Sequence, residues 1–154
     1  MDPYLTALHM LSRRELSVSQ LRTRLLKREF AEAEVDEALG RLAAEGAVDD
    51  RRVARAAARL ESAIRNRGRR RVLQRVQQLG VSPDVARAAV DEAFEEVDEA
   101  ALLDRAIERR LKGIAPRDLD ERGRARVVRA VVGQGFAFGA VLDRLRRWGM
   151  PSDE

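Results

Sequence analysis

The chain has 154 residues, 45% hydrophobic and 36% charged, enough for one ordinary domain or a string of small helical units. The absence of cysteine excludes disulfides and thiolate metal sites. The net charge is +4, with Lys27 and Lys112 as the only lysines. Residues 1–11 lack a basic-then-apolar signal pattern and no apolar stretch approaches a membrane span, so a cytoplasmic protein without membrane contact is expected.

Helix-forming residues dominate and no segment alternates like a strand, so the predicted fold is all-α. The first three helices are predicted over residues 3–14, 17–28 and 31–45. Ser17 and Gln20 form a capping-box pattern at the second. In the middle of the chain, Asp49 or Asp50 caps a long fourth helix that Gly68 ends. The fifth helix is predicted over 69–79, and the sixth begins at Pro83.

Residues 83–111 contain neither glycine nor proline, so the sixth and seventh helices are either continuous or bent. A bend at Val97 and Asp98 is predicted because the apolar stripe changes phase there. A linker over 113–118 precedes the eighth and ninth helices, predicted over 119–134 and 137–148. Residues 150–154 are predicted to be a frayed tail.

The same helical pattern occurs three times, centred on Phe30, Val81 and Phe136. Apolar residues stand nine and five positions before each centre, and five and nine after it. This predicts three tandem three-helix repeats over 1–48, 49–97 and 98–149, forming an elongated, curved helical array. Hinges are expected at Gly68 and in the linker. Such arrays typically bind macromolecules along a face, so a binding protein is favoured over an enzyme.

Motifs across nearly the whole chain, about residues 6–149, resemble the RecX family of regulators of the RecA recombinase. The first-repeat start (Ala7, Leu8, Leu11, Arg14, Ser17, Gln20, Leu21) and the segment 42–49 with Asp50 are similar to the family's first repeat. The segment 76–81 looks like the leucine–glycine turn of the second repeat, and Gln134-Gly135-Phe136 like the glycine–phenylalanine turn of the third.

The resemblance implies three three-helix units and a non-enzymatic role in DNA repair, recombination and the SOS response. It implies binding to the RecA filament, mainly as an inhibitor of ATP hydrolysis, strand exchange and co-protease activity. Two departures stand out: Glu29 replaces a common glycine, and Val53 replaces an aromatic residue. A left-handed Glu29 would cost roughly 1–2 kcal/mol, so a different turn is predicted there.

Two basic sets are the candidate partner-binding residues, because guanidinium groups bind carboxylate and phosphate oxygens bidentately. The first surrounds Gly68 and comprises Arg65, Arg67, Arg69, Arg70, Arg71 and Arg75. The second, in the third repeat, comprises Arg122, Arg126, Arg129, Arg144 and Arg147. A solvated surface in an arginine-rich chain is the alternative for both sets.

The acidic stretch from Asp91 to Asp104 could dock on the first basic set, keep one face of the protein off DNA, or be a solvated helix face, and the last is favoured. His9, the only histidine, has no catalytic partner in the sequence, and no nucleophile, metal site or cofactor motif is evident. Trp148 is assigned to the core and Phe138 to the surface.

The leading hypothesis is therefore the filament regulator, with single- or double-stranded DNA as a further partner to consider. The alternative is a direct DNA-binding module of helix-turn-helix-like repeats, which predicts salt-dependent binding to bare DNA. Against it, the acidic stretch interrupts a phosphate-tracking surface. A monomer is expected, because every apolar stripe has an internal partner.

Overall fold

The computed structural model describes residues 2–149, which form nine α-helices and no β-strand, as the sequence predicted. The helices are α1 Pro3–Arg13, α2 Val18–Lys27, α3 Glu32–Ala44, α4 Asp50–Arg59, α5 Arg69–Gln77, α6 Pro83–Phe94, α7 Glu99–Leu111, α8 Glu121–Gly133 and α9 Phe138–Gly149. The predicted tail, residues 150–154, lies outside the described residues.

Side-chain caps fix where several helices begin. Ser17 and Gln20 form the predicted capping box at α2, each side chain accepting from the other's backbone N–H. Asp49 caps α4 by accepting from the backbone N–H groups of Arg51 and Arg52. These local bonds satisfy amide groups that have no partner inside the helix.

The end of α4 is irregular. A π-helical turn, Leu60–Ile64, continues the helix, and Asn66 then takes a left-handed conformation with φ 53°. Glu61 and Ser62 on this turn are buried. The Ser62 hydroxyl donates to the Ala58 carbonyl at 2.7 Å, which satisfies one of these buried polar groups.

Helices α6 and α7 are separate, and the predicted break at Val97 and Asp98 is confirmed. The Asp98 side chain caps α7 by accepting from the Ala101 N–H. Phe94 before the break and Leu102 after it are both buried, so the change of direction keeps both apolar stripes on the core. In the predicted linker, a 3-10 turn covers Pro116–Asp118.

The buried residues form two clusters. Helices α1–α3 enclose one around Leu21, Leu25 and Leu42, while α4–α9 share a single larger one. The predicted boundaries at 48/49 and 97/98 fall between helices, and the division into repeats stays a prediction. Because α4–α9 share one core, the second and third segments are joined more extensively than the first and second.

The α5–α6 turn packs against the start of α2. The Ser17 hydroxyl donates to the Leu79 carbonyl at 2.5 Å, and the Val18 N–H donates to Asp50 Oδ1 at 2.9 Å. A Cβ on Gly80 would lie 2.6 Å from the Ser19 side chain. This contact joins the first three helices to the following ones.

The α8–α9 turn packs in the same manner against the start of α5. The Gly68 N–H donates to the Gln134 carbonyl at 2.8 Å, and the Arg70 N–H donates to the Gly135 carbonyl at 3.2 Å. A Cβ on Gly68 would lie 2.6 Å from the Gly135 carbonyl carbon. The predicted hinge at Gly68 is therefore wrong, because its backbone is bonded into a close contact.

The turn between α2 and α3 also differs from the prediction. Glu29 has φ 67°, close to the φ of 80° at Gly80 in the matching turn of the next repeat. The expectation that Glu29 avoids the left-handed region is wrong. The turn at Arg28–Phe30 has the same left-handed geometry as the turns of the other repeats, although a residue with a side chain is strained in that conformation.

Candidate partner-binding surface

A groove of about 420 Å³ lies between the start of α5, the start of α7 and helix α9. Leu103, Phe136 and Ala140 contribute apolar lining. Four arginines from the two predicted basic sets also line it, namely Arg69, Arg70, Arg144 and Arg147. The fold therefore brings together residues that lie more than seventy positions apart in the sequence.

Arg69 is held by the acidic stretch. Its guanidinium lies 2.6 Å from Asp91 and 3.2 Å from Glu99, and it stands 5.0 Å from the Phe94 ring centre. The hydrogen bond to Glu99 raises the pKa of Arg69, although partial burial opposes the rise. Internal docking of the acidic stretch therefore occurs at Asp91 and Glu99, which remain exposed to solvent.

Arg144 is also paired, whereas the other two arginines of the groove are not. Arg144 Nε lies 2.9 Å from Asp104 Oδ1, and both side chains are partly buried. Arg70 and Arg147 are exposed and form no ion pair with any residue between 2 and 149. These two guanidinium groups are thus the ones in the groove that are available to a partner.

The rest of the first basic set has varied surroundings. Arg65 Nη1 donates to the buried Glu61 carboxylate at 2.7 Å, and Arg75 Nε lies 3.9 Å from the same oxygen. Arg71 donates to Gln74 Oε1 at 2.7 Å, and Arg67 is half-buried. Several of these arginines thus have internal partners, and their role in binding stays a prediction.

The arginines of α8 do not reach the groove. Arg122, Arg126 and Arg129 are exposed, and none of them lines it. Arg129 Nε contacts the Ala125 carbonyl at 3.5 Å, within its own helix. The second predicted set is therefore divided between two surfaces, with Arg144 and Arg147 in the groove and the others on α8.

Sequence reasoning missed a second basic pocket, which lies between the end of α4, helix α7 and the α8–α9 turn. Arg105 and Arg109 of α7 line it together with Arg65. Their spacing of four residues places them on one helix face, which was the available signal. It was obscured because α7 alternates acidic and basic residues, a pattern typical of a solvated helix.

Other candidate residues are located as follows. His9 is exposed on α1, and Phe138 is 57% exposed, as predicted. Trp148 packs against the large core while remaining partly accessible, so its core assignment is confirmed. Between residues 2 and 149, no group of three or more His, Asp or Glu side chains is arranged to hold a metal ion, and no helix is long and apolar enough to span a membrane.

Comparison with known proteins identifies the family. The family model described as RecX, first three-helix domain, matches residues 4–42. The chain is 33% identical over 138 residues to the regulatory protein RecX of Trichlorobacter lovleyi, covering 88% of each chain. The chain belongs to the RecX family. A Thermus thermophilus regulatory protein RecX is 36% identical over 140 residues, covering 91% of this chain and 87% of the relative.

Solved RecX structures share the fold at lower identity. A crystal structure of regulatory protein RecX has a TM-score of 0.77 and 19% identity, and the match covers 92% of this chain and 70% of the crystallised chain. RecX from Lactobacillus salivarius has a TM-score of 0.74 and 15% identity, with coverage of 96% and 94%. At these identities the likeness shows the helical array of the RecX family.

Proposed function

We propose that this chain is a non-enzymatic regulator of homologous recombination that binds the RecA filament and restrains its ATP hydrolysis, strand exchange and co-protease activity. Membership in a family whose relatives are named regulatory proteins supports this proposal. The observation that carries the binding surface is the groove between α5, α7 and α9, with its exposed, unpaired Arg70 and Arg147. The proposed action takes place in the cytoplasm, where the recombinase works on DNA.

The groove has the chemistry of a site for an acidic protein surface. Its apolar lining, which includes Phe136 and Leu103, can bury an aliphatic or aromatic side chain of the partner. Arg70 and Arg147, which line the same groove, would pair with carboxylates around that side chain. Contacts along further helices would add multivalent affinity, so each contact need only be modest.

The direct test is the ATPase activity of RecA on single-stranded DNA, titrated with this protein. The recombinase should come from the same organism. The proposal expects inhibition at fewer than one regulator per recombinase subunit. Absence of inhibition at equimolar protein, together with tight binding to bare DNA, would overturn it and favour the DNA-binding module.

The groove is tested by reversing its two free charges. We expect Arg70→Glu with Arg147→Glu to raise the concentration needed for half-inhibition by at least about tenfold, roughly 1.4 kcal/mol of binding free energy. The reason is that two attractive contacts with an acidic surface become repulsive. The measurement is the same ATPase titration, accompanied by circular dichroism to verify that helicity is retained.

The matched control reverses two other exposed arginines, Arg24 on α2 and Arg110 on α7, neither of which lines the groove. Both variants change the net charge equally. The control should inhibit nearly as well as the wild type. Equal losses in the two variants would show that overall charge, and not the groove, determines binding.

A further inference from the structure

The second basic pocket has a composition suited to an anion. It is lined by the basic residues Arg65, Arg105 and Arg109, the polar residues Asn66 and Gln134, and the apolar residues Leu102 and Ala106. Its volume is about 50 Å³. Since a water needs roughly 10–15 Å³ by this measure, the pocket has room for a few waters or one small oxyanion.

The pocket lies between the end of α4, helix α7 and the α8–α9 turn. The π-helical turn at the end of α4 presents Arg65, whose Nη1 is fixed by the buried Glu61 carboxylate at 2.7 Å. Asn66 follows in a left-handed conformation with φ 53°, an arrangement that surrounding contacts must maintain. The Gln134 carbonyl accepts from the Gly68 N–H at 2.8 Å, which fixes the opposite wall. π-Turns of this type occur frequently at functional sites.

In the described part of the chain, two of the three pocket arginines have no ionic partner, whereas Arg65 is paired with the buried Glu61. Arg105 and Arg109 stand four residues apart on α7, a like-charge spacing that disfavours the helix. Neither forms an ion pair within residues 2–149, and no carboxylate among those residues lines the pocket. The larger groove, in contrast, is lined by Glu99 and Asp143 as well as arginines. An external anion would offset this concentration of positive charge.

We propose that this pocket binds a single phosphate group. Guanidinium forks pair bidentately with oxyanions. Arg105 and Arg109 on one face of α7, together with the N–H groups of Arg65 that Glu61 leaves unbonded, offer more donors than the two oxygens of a carboxylate can accept, which favours a phosphate. The phosphate belongs either to the backbone of single-stranded nucleic acid or to a free phosphate ion. This proposal rests on the proposed function, since a regulator bound to a filament on DNA can contact the DNA. Phosphate binding can nevertheless be tested without the recombinase.

The nucleic-acid arm measures binding of a fluorescent single-stranded DNA 20-mer by anisotropy over a range of salt concentrations. Arg105→Gln with Arg109→Gln should weaken binding about tenfold and reduce the log–log salt slope by about 0.7, the value for one phosphate contact. The charge-matched control is Arg110→Gln with Arg117→Gln, two exposed arginines outside the pocket. The control should retain nearly the wild-type slope.

The second arm measures the arginine Nε–Hε resonances of the full chain as inorganic phosphate is added at constant ionic strength. Saturable shifts at Arg65, Arg105 and Arg109, lost in the pocket variant and kept in the control, support phosphate binding. If they occur while DNA affinity is unchanged by the pocket variant, the source is free phosphate. If the variant weakens DNA binding as expected, the source is the nucleic-acid backbone.

Two results would overturn the proposal. One is equal behaviour of pocket and control variants in both arms. The other is loss of RecA inhibition by the pocket variant with no effect in either arm, which would assign the pocket to an acidic protein surface. Neither result bears on the larger groove, so the ATPase test of the proposed function remains independent.

Discussion

At the scale of single residues, one polar cluster joins helix α1 to the C-terminal end of helix α3. The Tyr4 hydroxyl on α1 donates to Glu45 Oε2 at 2.6 Å, just after α3. Arg41 stands 3.9 Å from the Tyr4 ring centre and lies 3.0 Å from the other Glu45 oxygen. Arg41 and Glu45 are exposed and Tyr4 is half-buried, so the cluster orients the helices while the buried leucines supply most of the stability.

This cluster predicts a pH-dependent signal that can be assigned to one residue. The hydrogen bond to Glu45 raises the pKa of Tyr4 above its ordinary 10.0, because ionisation would remove the donor and place a phenolate beside a carboxylate. Tyr4 is the only tyrosine, so absorbance at 295 nm during an alkaline titration reports it alone. We expect Glu45→Ala to lower its pKa towards 10. An unchanged midpoint would show that the bond does not persist in solution. The control is Glu37→Ala on α3, which should leave the pKa of Tyr4 raised.

The sign of the stability effect follows from the two partners. The pKa of Tyr4 is raised on folding, so its contribution is present below the unfolded value of 10.0 and is lost as the pH rises through the folded pKa. The same hydrogen bond lowers the pKa of Glu45, so that contribution is present above the unfolded value of 4.5 and is lost as the pH falls through the folded pKa. The bond therefore stabilises the fold across the neutral range.

At the scale of elements, the three repeat turns show why glycine is required in two of them and not in the first. All have positive φ, 67° at Glu29, 80° at Gly80 and 110° at Gly135. A Cβ on Gly135 would lie 2.5 Å from the Arg71 Cβ, and one on Gly80 would meet Ser19, because these turns dock on the preceding repeat. Glu29 in the first turn is exposed, in contrast. Glu29 therefore bears conformational strain without a steric clash.

The turns predict opposite effects of opposite substitutions. Glu29→Gly should stabilise the protein by about 0.5–1 kcal/mol, since relief of roughly 1–2 kcal/mol of strain exceeds the entropic cost of glycine. Gly135→Ala should destabilise it by at least about 2 kcal/mol, because strain and a backbone clash add. The measurement is the free energy of unfolding in urea, followed by circular dichroism.

The control for these variants is Gly40→Ala, at a helical glycine in α3 where a Cβ meets no atom within 4 Å. It should stabilise the protein by about 0.5–1 kcal/mol through helix propensity alone. Gly135→Ala behaving like Gly40→Ala would contradict the close contact between the α8–α9 turn and α5.

The third repeat differs at the position where a further turn would dock. Counting four residues back from Leu21, Val72 and Val127 gives Ser17, Gly68 and Gly123 as equivalents. Ser17 and Gly68 are N-caps, but α8 begins one turn earlier, with Asp120 as its cap. A Cβ on Gly123 would lie 2.9 Å from Asp120 Oδ1, so the chain itself covers this docking position.

At the scale of the whole molecule, the two buried clusters predict unequal cooperativity. Val72 and Leu42 are both fully buried, the first in the α4–α9 cluster and the second in the α1–α3 cluster. Trp148, the only tryptophan, packs on the larger cluster and reports its unfolding by fluorescence.

We expect Val72→Ala to lower the urea midpoint reported by Trp148, because it removes about 2 kcal/mol of packing from a core that α4–α9 share. Leu42→Ala removes roughly 2–5 kcal/mol from the other cluster and should shift that midpoint less. In far-UV circular dichroism, the urea midpoint for unfolding of α1–α3 should shift more for Leu42→Ala than for Val72→Ala. A larger Trp148 shift from Leu42→Ala would indicate that the whole chain unfolds as one unit.

Local signals were sufficient for the helices. The Ser17–Gln20 capping box, the Ser82–Pro83 start and the phase change at Val97 are each determined by residues a few positions apart, and each was predicted correctly. The π-helical turn at Leu60–Ile64 was missed, since its geometry depends on how Glu61 and Ser62 are buried by other helices. For the same reason Gly68 was misread as a hinge, because its partner lies in the α8–α9 turn.

The sequence by itself determined the all-α fold, the limits of most helices and the resemblance to the RecX family, because caps, periodicity and short motifs act over a few residues. Only the tertiary structure decided which arginines are available. It pairs Arg69 and Arg144 with carboxylates, leaves Arg70 and Arg147 open in the groove, and brings Arg105 and Arg109 to Arg65 in the second pocket. Charge pairing depends on distances between side chains on different helices, and those distances are set by packing.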